Sequence, residues 1–154
     1  MPLIQDAFEL SSPRLRQAYA YWDGKRLGRR MPARRDLDPL DIPTLLPNVM
    51  LLDVLSDPLD FRYRLIGTEV RSRFHRDYTG VRLSELPDKG RGSIVWQNSE
   101  QVVISKAPFS RMPPYVGPDE YVRGGENLLL PLSDDDETVN MIFQVIEFER
   151  SPPL

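Results

Sequence analysis

The sequence predicts a single domain of the α+β class, and three observations support the prediction. Residues 49–55 begin with a continuous apolar run, and residues 61–65 alternate apolar side chains with arginines, as half-buried strands do. Residues 56–58, Ser-Asp-Pro, favour a tight turn, so the two strands form a hairpin. Helical patterns precede and follow this hairpin. We therefore expect a sheet with helices packed on it.

Length and composition narrow the classes of protein. The 154 residues suffice for one domain with a hydrophobic core and are too few for two comfortable ones. The lack of cysteine excludes disulfides, thiolate zinc sites, cysteine nucleophiles and flavin chemistry that forms a cysteinyl adduct. No stretch approaches the ~20 apolar residues that span a bilayer, and the N-terminus lacks the pattern of a signal peptide. We therefore expect a cytoplasmic location.

Charge is distributed unevenly along the chain. Residues 1–35 contain eight Lys or Arg and three Asp or Glu, a net charge of +5, although the whole chain carries −3. The basic run at residues 25–36 lacks any recognisable DNA-binding motif. We expect it to be solvated or paired with nearby carboxylates such as Asp36, Asp38 or Asp41. An acidic protein partner and nucleic acid are the alternatives.

The first predicted helix begins after Ser12, a favoured N-cap, with Pro13 at the first helical position. We expect residues 23–24, Asp-Gly, to interrupt or end it. A helix of about 10 residues is marginal alone, so its apolar stripe must dock on something. One possibility is the chain's own sheet, and the other is a second copy. The stripe consists of Leu15, Ala18, Tyr19 and Trp22.

Short helices and three further strands follow the hairpin. Thr68 can cap a helix that continues over residues 69–74, and Ser93 can cap a longer one that ends near residue 105. The strands are predicted at residues 107–115, 126–132 and 139–149. Prolines place the first of them at a sheet edge. The last is apolar on both faces, so we expect it at the centre of the sheet, covered on both sides.

Several segments of the chain resemble the PAS domain, and more narrowly a family of short bacterial proteins with little beyond one PAS-like domain. The resemblance covers about residues 19–148. It implies a five-stranded antiparallel sheet with short helices on one face, and an N-terminal helix packed on the sheet or in a dimer interface of Leu15, Tyr19 and Trp22. The segments are Tyr21-Trp22 and residues 31–42, 45–47, 61–68, 77–80 and 129–132.

The chain is expected to divide into four parts. Residues 1–11 are expected to be a flexible arm, and residues 12–36 a helix with a basic connection. Residues 37–149 form the PAS-like domain, and residues 150–154 a tail.

A pocket between the inner sheet face and the covering helices is the site that the resemblance implies. Phe61, Leu83 and Val103 are further candidates for its lining. Each of these residues is alternatively plain core, because large apolar side chains usually are. The predicted ligand-binding residues are Tyr63, Phe74, Tyr78, Trp96, Asn98, Arg111, Met141 and Phe143.

The residues offer little catalytic or metal-binding chemistry. His75 is the only histidine, and its neighbours Arg73, Arg76 and Asp77 indicate a polar turn rather than a haem ligand. The acidic run at residues 134–137 lacks the spacing of a calcium loop, and no glycine-framed serine is present. We expect no metal, no haem and no flavin, although an unknown small-molecule ligand remains possible.

The function implied by the resemblance is that of a stand-alone sensory or adaptor module in bacterial signalling, not an enzyme. It would bind a small molecule, a protein partner or both. No output domain follows, so the signal is expected to leave through contact with an unidentified signalling protein. We expect a homodimer, with no binding to nucleic acid or membrane. The alternatives are a structural interaction domain with a filled core and, last, an enzyme that uses the cavity.

Overall fold

The structure, a computed structural model, describes residues 10–111 and 122–150. The predicted tail beyond residue 150 and most of the predicted arm lie outside the described residues. Short 3-10 turns connect the elements at Arg34–Asp36, Pro39–Asp41, Leu46–Asn48 and Leu83–Glu85. The helices are α1 (Pro13–Arg26), α2 (Thr68–Arg71) and α3 (Ile94–Ser105), and the strands are β1 (Val49–Leu55), β2 (Asp60–Ile66), β3 (Phe109–Arg111), β4 (Val122–Leu132) and β5 (Met141–Arg150).

The five strands form one antiparallel sheet in the order β2-β1-β5-β4-β3, which confirms the predicted fold class. The predicted hairpin is the β1–β2 pair. The last strand, β5, lies at the centre between β1 and β4, as its apolar sequence on both faces predicts. The strand β3 lies at an edge and is described only as far as Arg111, so the predicted continuation to residue 115 lies outside the described residues.

Helix α1 packs on the outer face of the sheet, against β4 and β5. Leu15, Ala18 and Trp22 are fully buried there, and the Trp22 indole N–H donates to the carbonyl oxygen of Pro131 at 2.8 Å. Tyr19 is half-buried beside Trp22. The stripe therefore docks on the chain's own sheet. This corrects the dimer interface expected at Leu15 and Trp22, because side chains buried within one chain cannot face a second copy. A homodimer stays a prediction.

The ends of α1 also differ in part from expectation. Ser12 is the N-cap, and its hydroxyl accepts from the Leu15 backbone N–H at 3.2 Å. The helix does not end at Asp23-Gly24 but continues to Arg26, where Leu27 adopts a left-handed conformation. Of the two other predicted N-caps, one is confirmed and one is wrong. Ser93 caps α3 as predicted, whereas the N-cap of α2 is Gly67 rather than Thr68.

Two glutamates of the outer sheet face anchor the start of α1. Glu126 and Glu147 are register partners on β4 and β5. The Glu126 carboxylate accepts from the backbone N–H of Ser11 and of Ser12, at 3.1 and 3.0 Å. Glu147 accepts from the Ser12 hydroxyl at 3.0 Å and pairs with the Arg14 guanidinium at 2.6 Å. The N-terminus of α1 is thus tied to both central strands on the face away from α3.

Most of the basic run at residues 25–36 is paired within the chain. Arg29 lies 2.9 Å from Asp36, and Lys25 lies 3.6 Å from Asp41, two of the expected partners. Arg35 lies 3.5 Å from Asp134 in the acidic turn between β4 and β5. Pairing among these partly exposed groups contributes little stability, but it leaves the run less available to phosphates.

Candidate functional site

A cavity of about 440 Å³ lies between the inner face of the sheet, α2, α3 and the loop before α3. Its volume falls in the range of ~300–1,000 Å³ that is usual for small-molecule sites. Most of its wall is apolar. The apolar lining residues are Met50, Leu52, Tyr63, Val70, Phe74, Ile94, Val95, Leu129, Ile146 and Phe148.

The pleat of the central strands decides which side chains reach the cavity. Side chains alternate between faces along a strand, so Gln144, Ile146 and Phe148 of β5 face it together. Opposite Phe148, Gly125 of β4 also lines the cavity. A Cβ atom on Gly125 would lie 2.6 Å from the Glu147 carbonyl oxygen, so a larger residue cannot be placed there without moving the strand.

Three amide side chains line the cavity. The Gln144 side-chain amide donates to the Asn127 Oδ1 at 2.6 Å, and both residues are buried. Asn98 of α3 is 5% exposed, and its Oδ1 accepts no hydrogen bond within the described part of the chain. A buried acceptor without a partner is costly, so this oxygen marks a place where a ligand can donate a hydrogen bond.

Two buried cations, Arg73 and Lys89, and one carboxylate, that of Asp88, also line the cavity. Arg73 is 6% exposed, pairs with Glu69 at 2.5 Å, and lies with its guanidinium carbon 4.9 Å from the Phe148 ring centroid. Lys89 is 8% exposed, with its ammonium 3.4 Å from Asp88 and 5.2 Å from the Phe74 ring centroid. Cations at such distances from aromatic faces are held there by cation–π attraction.

Tyr63 is the buried hydroxyl of the site. Burial, and secondarily the negative charge of Asp88, raises the pKa of Tyr63 far above its ordinary value. The phenol therefore stays neutral at every physiological pH. Its ring packs with Phe74 and Tyr78 at centroid distances of 5.8 and 6.3 Å.

Of the eight predicted ligand-binding residues, Tyr63, Phe74 and Asn98 line the cavity. Their role in binding a ligand stays a prediction. Tyr78 packs against the rings of Tyr63 and Phe74, outside the cavity lining. Trp96 packs edge-on against Phe61, with a centroid distance of 5.1 Å. Tyr78 and Trp96 therefore belong to the hydrophobic core, which was the alternative prediction.

Three further predicted residues lie elsewhere. Met141 and Phe143 alternate with the cavity-facing residues of β5 and so face α1, which corrects their placement in the pocket. Arg111 is exposed at the end of β3, where its guanidinium lies over Phe109. Leu83 and Val103 are likewise not lining residues, and His75 is exposed.

Apart from Asn98, sequence reasoning missed the polar part of the lining. Gln144 could have been found, because it interrupts the apolar residues 141–146 of a strand predicted to be covered on both sides. Asn127 gave no such signal, because it stands beside Glu126 at the polar start of the apolar residues 128–130. Arg73 and Lys89 gave no signal, since arginine and lysine in short helical or loop segments are normally exposed.

A family model described as PAS domain matches residues 10–147, and the chain belongs to this family. PAS domains are generally sensory modules of signalling proteins rather than catalytic ones. The fold is also similar to that of a sensory box sensor histidine kinase from Vibrio cholerae. That match has a TM-score of 0.51 and 16% sequence identity, and covers 73% of this chain and 92% of the kinase chain. No curated protein matches the chain.

Two searches of the described residues gave negative results. None of the helices there is long and apolar enough to cross a membrane. Within the same residues, no three His, Cys, Asp or Glu side chains are grouped so that they could hold a metal ion.

Proposed function

We propose that the protein is a sensory module that binds a small molecule in the cavity between the sheet and α3 and reports its presence to a signalling partner. The observation that carries the proposal is the cavity itself, which combines an apolar wall with buried amides and cations. This combination is typical of sites for small organic ligands. It supports a ligand-binding module over an interaction domain with a filled core.

The central strands offer a route from the cavity to α1. Asn127 and Phe148 face the cavity, while their sequence neighbours Glu126 and Glu147 hold the start of α1 on the opposite face. A ligand that favours one spacing of β4 and β5 shifts the anchoring of α1. Such a response requires that the ligand bind the two states with different affinity. The signal then passes to a protein that contacts α1 or the sheet edge.

Native mass spectrometry of freshly purified protein, with an absorption spectrum alongside, tests the proposal. We expect a mass excess that disappears on denaturation. The variant Val95→Phe places a larger side chain on the cavity wall and should reduce the excess. Ile104→Phe, on an exposed position of the same helix, is the matched control and should retain it. A clean apo mass in all three proteins, with no thermal shift from added apolar or aromatic compounds, would refute ligand binding.

A further inference from the structure

We propose that the ligand is a neutral, mostly apolar molecule that donates one hydrogen bond, from an N–H or O–H group, to the side-chain amide of Asn98. Phenols and indoles are examples of this class. The inference rests on the proposed function, because it assigns the chemical class of the molecule in the same cavity and the residue that selects it. Three features of the cavity support it: the ion pairs of its lining, its apolar wall and the Asn98 amide.

The charged side chains of the lining already have partners of opposite charge. The Lys89 ammonium lies 3.4 Å from the Asp88 carboxylate, and both residues line the cavity. The Arg73 guanidinium, also in the lining, lies 2.5 Å from the Glu69 carboxylate. A charged ligand would lose its hydration on entry and would have to compete with these ion pairs for a counter-charge. The lining therefore favours a ligand without net charge.

The apolar wall favours an apolar body for this molecule. Strands β1, β2, β4 and β5 and helices α2 and α3 all contribute apolar side chains to it, and two of these, Leu52 and Leu129, are fully buried. Contact with such a wall stabilises a bound molecule in proportion to the apolar area that is removed from water. Polar groups of a ligand that face the wall would lose their hydrogen bonds to water without replacement. The ligand should therefore carry few polar groups.

Asn98 specifies one of these polar groups as a donor. Gln144 donates to the Asn127 Oδ1, whereas the Asn98 Oδ1 is buried and accepts no hydrogen bond among the described residues. The described residues offer no hydrogen bond to the Asn98 Nδ2 either, so the amide can turn about its last side-chain bond and present Oδ1 to a ligand. A ligand N–H or O–H then removes the cost of the unsatisfied acceptor. A ligand acceptor in the same place would leave Oδ1 unsatisfied.

Indole and benzofuran test the donor, because the two bicyclic rings have nearly the same shape and an ether oxygen replaces the N–H. Isothermal titration calorimetry of the full chain, after any copurified ligand has been removed, compares their affinities. We expect indole to bind the wild type about tenfold more tightly than benzofuran, and the difference to fall to about twofold or less in Asn98→Leu. Gln101→Leu is the matched control and should retain the tenfold difference, because Gln101 is an exposed amide on the same helix, outside the lining.

Three indoles with short side chains of similar length test the charge of the ligand in the same assay. Indole-3-acetamide is neutral, whereas at neutral pH indole-3-acetate is an anion and tryptamine is a cation. We expect the amide to bind about tenfold or more tightly than either ion, because the ions lose more hydration and meet cations and carboxylates that are already paired. An ion that binds as tightly as the amide overturns the neutral ligand.

The outcomes distinguish the inference from the proposed function. Benzofuran that binds the wild type as tightly as indole overturns the hydrogen-bond donor, and this comparison stands even if Asn98→Leu does not fold. An equal preference for indole in the wild type and a folded Asn98→Leu overturns the role of Asn98. Absence of binding by every probe overturns the chemical class. In each of these cases a mass excess in native mass spectrometry keeps the proposed sensory function, whereas the absence of both binding and a mass excess removes it.

Discussion

Replacement of Asn98 by leucine should stabilise the ligand-free protein while it weakens ligand binding. Asn98 is 5% exposed, on the cavity side of α3, and its Oδ1 has no hydrogen-bond donor among the described residues. Leucine has a similar shape and no polar atom. The free protein then loses an unsatisfied acceptor and gains apolar contacts.

The magnitude follows from two terms. A buried polar atom without a partner costs roughly 1–3 kcal/mol. Leucine is also a better helix former than asparagine by up to roughly 0.5 kcal/mol. Because the new methyl groups fill the cavity only in part, we expect a net gain of about 1–2 kcal/mol in the free energy of unfolding. For a chain of this size that corresponds to a rise in Tm of about 2–8 °C.

Urea and thermal unfolding of the ligand-free protein, followed by circular dichroism, measure this change. Asn48→Leu is the matched control, because Asn48 is also 5% exposed but donates to the Ile146 carbonyl oxygen at 2.8 Å. That variant loses a hydrogen bond and leaves a carbonyl unsatisfied, so it should be destabilised by about 1–3 kcal/mol. The two substitutions are therefore expected to have opposite signs.

A destabilised Asn98→Leu, by as much as Asn48→Leu, would contradict this reasoning. It would mean that the Asn98 Oδ1 already accepts a hydrogen bond in the ligand-free protein, for example from an ordered water, and does not need a donor from a ligand. A stabilised variant that still binds the ligand with wild-type affinity would show instead that Asn98 is outside the contact surface of the ligand.

Three further predictions concern stability. Gly67→Ala should lower the free energy of unfolding in urea by about 3 kcal/mol or more, because the added Cβ would lie 2.2 and 2.6 Å from two carbonyl oxygens. Gly24→Ala is the matched control: the position on α1 is open, so this variant should be neutral or stabilising by up to roughly 1 kcal/mol. Glu126→Ala removes the carboxylate that accepts from the buried Ser12 N–H. Amide hydrogen exchange along α1 should then accelerate, while exchange in α3 stays unchanged. Equal protection of α1 in the wild type and the variant would show that Glu126 does not anchor the helix. Hydrogen bonds from backbone N–H groups, first that of Thr138, lower the pKa of Asp135. The stabilisation by the Asp135 carboxylate is therefore complete above the unfolded pKa of about 3.9 and is lost as the pH falls below that value towards the folded pKa. NMR titration should show the lowered pKa, and Asp135→Asn should abolish this part of the pH dependence of stability.

The type and order of the secondary structure elements could be predicted well, because local sequence patterns specify them. Alternation in residues 61–65 and the two-sided apolar character of β5 identified a half-buried strand and a central one. Helix ends were less secure. Gly24 suggested an end to α1, but burial of the apolar stripe on the sheet outweighs the cost of one glycine, and the helix continues to Arg26.

The cavity lining could be predicted only in part. Tyr63, Phe74 and Asn98 were found because large or amide side chains on the inner elements are natural candidates. Phe143 was misplaced because β5 is apolar on both faces, so its sequence does not reveal which alternate residues face α1 and which face the cavity. A shift of one residue exchanges the two faces.

The sequence by itself determined the fold class, the central position of the last strand and the PAS family, since these depend on periodicity, turn residues and the order of segments. Only the tertiary structure decided that α1 covers its own sheet. It also decided that Arg73 and Lys89 lie buried at the same cavity as Asn98, whose Oδ1 has no hydrogen-bond donor among the described residues. Burial of a charge depends on residues distant in sequence that surround it. Local sequence patterns do not carry that information.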